Sequence, residues 1–138
     1  GKSKDMLWLS EAGFHITGVE LSRIAVDDFF TEAGLVPQVH QAGAFRISRA
    51  NTITLLTGDV FDVTADDLSG VAAIYDRAAL IALPAELRAR YAAHLGAIVP
   101  PGTVSLLISI SYPQQEMAGP PFSVPREEVR SIFAPAFD

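Results

Sequence analysis

The hydrophobic pattern of this chain changes period at Glu20. Before it, Phe14-His15-Ile16-Thr17-Gly18-Val19-Glu20 sets Ile16 and Val19 among small residues, which reads as a strand. After it, Ile24, Ala25, Phe29 and Ala33 recur at helical spacing, with Ser22 at the N-cap position and Gly34 as the stop. Upstream, Ser3 caps a first helix that carries Met6, Leu7 and Leu9 and stops at Gly13. Between 36 and 52 the pattern weakens. Ala44-Phe45-Arg46-Ile47 makes a short strand leading into the buried β-branched run 52–56, and Thr57-Gly58-Asp59-Val60-Phe61-Asp62 turns out of it. Val71-Ala72-Ala73-Ile74-Tyr75 suits a strand covered on both faces. Pro84 opens a helix along which Leu83, Leu87, Tyr91 and Leu95 form a ladder. Pro100-Pro101-Gly102 turns the chain into a strand over 104–112, and Gly119-Pro120-Pro121-Phe122 forms a rigid loop. Pro125 and Glu127-Glu128 open a last helix with Val129, Ile132 and Phe133 facing in.

Strands alternating with helices predict an α/β fold with a parallel sheet and helices on both faces. Such sheets bind ligands beyond the carboxyl ends of their strands. Gly1, Glu20, Asp59 and the pair Asp76-Arg77 all fall at predicted carboxyl ends and are expected to converge on one rim. A carboxylate closing the second strand, about 20 residues after a glycine loop, suits a ribose diol, because its two oxygens accept from both hydroxyls. Glu20 stands near that spacing from Gly1; the plainer alternative is a solvated carboxylate at a strand end. A glycine loop normally follows a first, central strand, yet this chain starts at the loop. Its second and fourth strands are then left without a neighbour between them, so a segment of a longer protein is expected.

Composition narrows the function classes. A chain of 138 residues with 49% hydrophobic and 19% charged residues is expected to form one domain, 1–138, with its own core. A net charge of −6 argues against a nucleic-acid footprint, which needs clustered Lys and Arg. Without cysteine there is neither a disulfide framework nor a thiolate metal site. His15, His40 and His94 lack the mutual spacing of metal ligands. No signal peptide opens the chain, and the longest uncharged stretch, 95–115, is interrupted by Pro100-Pro101-Gly102, so no membrane span is predicted. A cytoplasmic protein, monomeric by default, is the expectation. Trp8 and Phe14 are read as core.

Four motifs in order, Gly1-Lys2-Ser3-Lys4-Asp5-Met6-Leu7-Trp8-Leu9, Gly18-Val19-Glu20-Leu21-Ser22, Tyr75-Asp76-Arg77-Ala78-Ala79-Leu80 and Gly119-Pro120-Pro121-Phe122-Ser123-Val124-Pro125, resemble the thiopurine S-methyltransferase family, its bacterial members above all. The resemblance covers essentially the whole chain. It implies a Rossmann-like class I methyltransferase, a three-layer sandwich on a mostly parallel sheet, here lacking the first strand and the C-terminal strands. It also implies S-adenosyl-L-methionine as cofactor and a small-molecule thiol acceptor, with selenium or tellurium compounds as further candidates. Residue by residue, it implies that Glu20 binds the cofactor ribose, that Asp59 and Val60 border the adenine, and that Arg77 lies near cofactor and substrate. The 119–125 segment then forms part of the acceptor side, where Phe122 between prolines suits a flat heterocycle.

Each role has a structural alternative. Asp59 can instead cap the turn before Phe61, Arg77 can pair with a carboxylate such as Asp76, Asp76 can hold its loop, and Phe122 can pack against the last helix. No general base is assigned, since a thiopurine thiol is already partly ionised. Two other classes compete: a non-catalytic nucleotide-binding module or inactive excised core, and a nicotinamide-dependent oxidoreductase. Gly-Lys-Ser-Lys-Asp lacks the G-x-G-x-x-G spacing that the latter needs.

Overall fold

The structure, a computed structural model, describes residues 3–137. The chain divides into two compact units, Gly1–Asp62 and Val63–Asp138, each taken by itself below.

In the first unit, helix α1 (Asp5–Glu11) leads into strand β1 (Ile16–Glu20) and helix α2 (Arg23–Glu32). Ser22 Oγ accepts from the Ala25 N–H at 3.2 Å, so the expected cap of α2 is made; at α1 the N-cap position is Lys4, without a side-chain cap, and Ser3 Oγ, one residue earlier, accepts from the Asp5 N–H at 3.2 Å. Gly13 (φ +94°) and Gly34 (φ +65°) follow the two helices, in a backbone conformation that favours glycine. The buried stripe of α2 is Val26, Phe29 and Phe30, whereas Ile24, expected inside, is 75% exposed. Two positions along a helix amount to a rotation of roughly 200°, so a stripe centred on Val26 turns Ile24 outward.

Three further strands follow: β2 (Gln38–Ala42), β3 (Phe45–Ala50) and β4 (Ile53–Thr57). They join β1 in a four-stranded sheet of order β1-β4-β3-β2. β1 and β4 run parallel; β4, β3 and β2 are successively antiparallel. The sheet is therefore mixed where sequence patterning predicted a parallel one. The connections explain it. Gly43-Ala44 and Asn51-Thr52 leave two residues each between strands, and so short a link joins only antiparallel neighbours. Gly43 and Asn51 take up positive φ at these turns. α2 packs Val26, Phe29 and Phe30 onto Ile53 and Leu55, with Met6, Leu7, Ile16, Leu35 and Ala50 around them. Gly18 stands opposite Leu55 across the β1–β4 ladder, where a Cβ would lie 2.6 Å from Leu55 Cδ2 and 3.3 Å from Met6 Sδ, so the absent side chain leaves room for both.

The second unit holds strand β5 (Ala73–Asp76), the short helix α3 (Ala79–Ala82), helix α4 (Ala85–Ile98), strand β6 (Val104–Leu107) and helix α5 (Arg126–Phe133). β5 and β6 pair in parallel through the helical crossover. α4 buries Arg88, Tyr91, Ala92 and Leu95. Tyr91 and Leu95 thus match the expected ladder, Leu83 and Leu87 are half-buried, and Arg88 was not foreseen. Phe133 of α5 is buried, with Val129 and Ile132 half-buried. Two expectations for the strands need correction. β6 ends at Leu107, well before 112, and β5 is not covered on both faces, because Ala73 and Tyr75 are exposed.

Candidate functional site

Glu20 closes β1, and its partner across the parallel ladder is Thr57, the last residue of β4. The Gly58 N–H donates to the Glu20 carbonyl at 3.0 Å, so the turn leaving β4 starts beside Glu20. Glu20 Oε1 accepts from the Ser22 N–H at 2.8 Å, while the Ser22 hydroxyl caps α2. One short segment therefore ends a strand, orients a carboxylate and starts a helix. The Glu20 pKa lies below the ordinary carboxylate value. Burial, the largest single influence, raises it, and foremost among the influences that lower it is the hydrogen bond from the Ser22 N–H.

Asp59 is exposed at the same end of the β1–β4 pair. Its Oδ1 accepts from the Phe61 N–H at 3.0 Å and its carbonyl from the Asp62 N–H at 3.1 Å, so it caps the 3₁₀ turn Val60–Asp62. Val60, half-buried, opens that turn. The structure thus brings Glu20, Asp59 and Val60 together. The expectation attached to Gly1 lies outside the described residues.

In the second unit, Asp76 ends β5 and is 4% exposed. Its Oδ1 accepts from the N–H groups of Ala79 at 2.9 Å and Leu80 at 3.4 Å, and its Oδ2 from the Tyr91 hydroxyl at 2.9 Å. Asp76 is therefore the anchor of α3, as the loop-holding alternative has it. Burial first, then the Asp76 carboxylate, raises the Tyr91 pKa far above the ordinary phenol value, so its proton stays in that bond. Arg77 is exposed just beyond the carboxyl end of β5.

The 119–125 loop is tied down at several points. The Phe122 N–H donates to the Ile81 carbonyl at 2.7 Å and the Val124 N–H to Ile110 at 2.8 Å. The Tyr112 hydroxyl donates to the Pro121 carbonyl, and Ser123 Oγ to the Tyr112 carbonyl at 2.6 Å. The Phe122 ring does not stand free. The Arg88 guanidinium carbon lies 5.6 Å from its centroid, and a Cβ on Gly119 would come within 2.5 Å of Phe122 Cδ1. Beside it opens a cleft of about 400 Å³, bordered among others by Pro84, Glu86, Arg88, Gln114 and Phe122.

Comparison with known proteins gives the family. The sequence model of thiopurine S-methyltransferase (TPMT) matches residues 1–138. The chain belongs to the thiopurine S-methyltransferase family. It is 54% identical over 134 residues to a protein named thiopurine S-methyltransferase from Pseudomonas aeruginosa (strain UCBPP-PA14), an alignment covering 97% of this chain and 62% of that protein. A protein of the same name from Azotobacter vinelandii (strain DJ / ATCC BAA-1303) is 50% identical, covering 96% of this chain and 61% of its own length. The chain therefore spans less than two thirds of the length of these relatives.

Within this thiopurine S-methyltransferase family chain, two sequence readings of aromatic residues are overturned. Trp8 and Phe14, taken for core, are 65% and 58% exposed. Sequence reasoning also missed Arg88, 4% exposed on α4. Its one local signal is an arginine inside an apolar helical ladder. The partners that make it informative are Phe122 and Glu128, far along the chain.

Proposed function

We propose that this chain is the core, a single class I domain, of an S-adenosyl-L-methionine-dependent methyltransferase whose acceptor is the thiol of an aromatic heterocycle. The supporting observation is Glu20, orientated and ionised at the carboxyl end of β1, in a chain that the family matches along its whole length. The proposed fold is the Rossmann-like three-layer sandwich. β1 is an edge of its sheet, so its outer side is available to the first strand that this fold places next to it.

The residues present fit such a cofactor. A half-buried carboxylate held ionised is the acceptor that two ribose hydroxyls require. The turn at Asp59 and Val60 offers an exposed edge beside it for the adenine. When bound, the cofactor supplies an electrophilic methyl group on a cationic sulfur. Arg77 is proposed to hold the acceptor sulfur as its anion through its fork of donors, the thiol proton passing to solvent. No side chain then needs to act as general base. The rest of the protein's contribution is alignment and exclusion of water; the 119–125 loop, tied down by its own hydrogen bonds, is proposed as a wall on the acceptor side.

The test is calorimetric titration of S-adenosylhomocysteine into a protein of the relatives' full length, wild type and Glu20→Ala. Loss of the charge-assisted acceptor should weaken binding by about 1–3 kcal/mol. Equal affinity in a folded Glu20→Ala protein rules out its ribose role. Tight binding without methyl transfer to any thiol would leave a non-catalytic nucleotide-binding module.

A further inference from the structure

The buried cation of α4 has no part in the reading above. An arginine out of water is costly unless its donors are matched, and a well-packed apolar residue at the same place would often be no less stable. Arg88 is nevertheless there, its side chain 5% exposed. Its Nε donates to the Leu83 carbonyl at 2.9 Å and its Nη1 to Glu128 Oε1 at 2.7 Å, while its guanidinium carbon sits over the Phe122 ring. These contacts link the C-terminal end of α3, helix α5 and the 119–125 loop. A leucine would fill the space without joining any of them.

One helical turn further on, Tyr91 of the same helix holds Asp76, the residue preceding Arg77. α3 completes the frame. Asp76 caps its start, and Ile81 within it accepts from the Phe122 N–H. Arg77 and the Phe122 loop are therefore referenced to one pair of side chains on α4. Phe122 turns its ring to Arg88 and Gly119, which makes it the anchor of the loop, while Pro120 and Pro121 remain exposed at the tip.

We propose that Arg88 is a positioning residue for the acceptor side of the site: held by Leu83 and Glu128, it stacks on Phe122 and fixes the 119–125 loop relative to Arg77. This rests on the methyltransferase reading for its catalytic consequence, though not for its structural one. Displacing such a wall by about 1 Å is enough to cost a large factor in rate.

Two readouts test it. In the 138-residue chain, amide hydrogen exchange at Phe122 should quicken by about tenfold or more in Arg88→Ala, with the Asp76-bound N–H of Ala79 little changed. Phe122→Leu, which removes the ring face and leaves the buried ion pair intact, should act in the same direction and covers the case of an Arg88→Ala protein that does not fold. In a protein of the relatives' length, Arg88→Ala should raise KM for the thiol acceptor by about tenfold while its Kd for S-adenosylhomocysteine stays within about twofold. Arg88→Lys keeps the charge without the fork and should fall between the two. Wild-type exchange at the residue 122 amide in both variants overturns the proposal. So does an acceptor KM that is unchanged or that rises only in step with the cofactor Kd, which would mark general loosening. A wild-type protein without methyl transfer would refute the enzyme reading, and the exchange data would still decide whether Arg88 holds the loop.

Discussion

Glu20 shows how much a single side chain can carry when its chemistry is local. Its hydrogen-bond donor is two residues away and its helix starts at the next turn, so strand end, carboxylate and cap were all legible in Gly18-Val19-Glu20-Leu21-Ser22. The same closeness sets a pH dependence. The folded-state pKa lies below the reference of 4.5, so ionised Glu20 adds stability above that value, and the contribution disappears as pH falls through the folded pKa. In the 138-residue chain, Glu20→Gln should therefore unfold at lower urea concentration than wild type near neutral pH, and the gap should close well below 4.5. A gap that is constant across the acid range would show that the charge plays no part. Arg88 is the opposite case. Nothing within a turn of it along the sequence reveals Glu128 or Phe122, and a cation among leucines gives no hint of whether it points outward or is buried and paired.

Among the elements, legibility followed burial. α2 and β4 were readable because each turns an apolar face to the same core. β2 was not, since all five of its residues are exposed and no alternation betrays it. Its presence follows from the two short turns that fold β2, β3 and β4 back on one another, and those turns also make the sheet mixed. The end of β4 carries a tighter constraint. At Gly58 a Cβ would lie 2.6 Å from Phe45 Cδ1, and Phe45 is 4% exposed in β3. A buried ring has little room to retreat. Gly58→Ala should cost about 1–3 kcal/mol by overpacking. The same shift should disturb the Asp59–Val60 turn, seen as lower urea stability together with weaker S-adenosylhomocysteine binding in a protein of the relatives' length. Wild-type values of both would mean that Phe45 yields freely.

At the scale of the whole molecule, the four-stranded and two-stranded sheets differ in how they are covered. No helix among the described residues is long and apolar enough to cross a membrane. Along β6 and beyond, Val104, Leu106, Ile108 and Ile110 alternate and are 68%, 59%, 45% and 41% exposed. The ladder sets Ala73 opposite Val104 and Tyr75 opposite Leu106, so β5 adds to the same face. Sequence patterning read Val71-Ala72-Ala73-Ile74-Tyr75 as covered on both sides because apolar runs usually are; in this chain one side meets solvent. A contiguous apolar row of this kind binds hydrophobic dyes and promotes association. The 138-residue chain should therefore enhance the fluorescence of anilinonaphthalene sulfonate while fully folded. Leu106→Lys, at a 59% exposed position, should cut that signal severalfold with little change in the unfolding midpoint, because an exposed leucine contributes little packing. If the signal persists in Leu106→Lys, the dye is binding elsewhere; if stability collapses with it, Leu106 is packed and this face is not the open one.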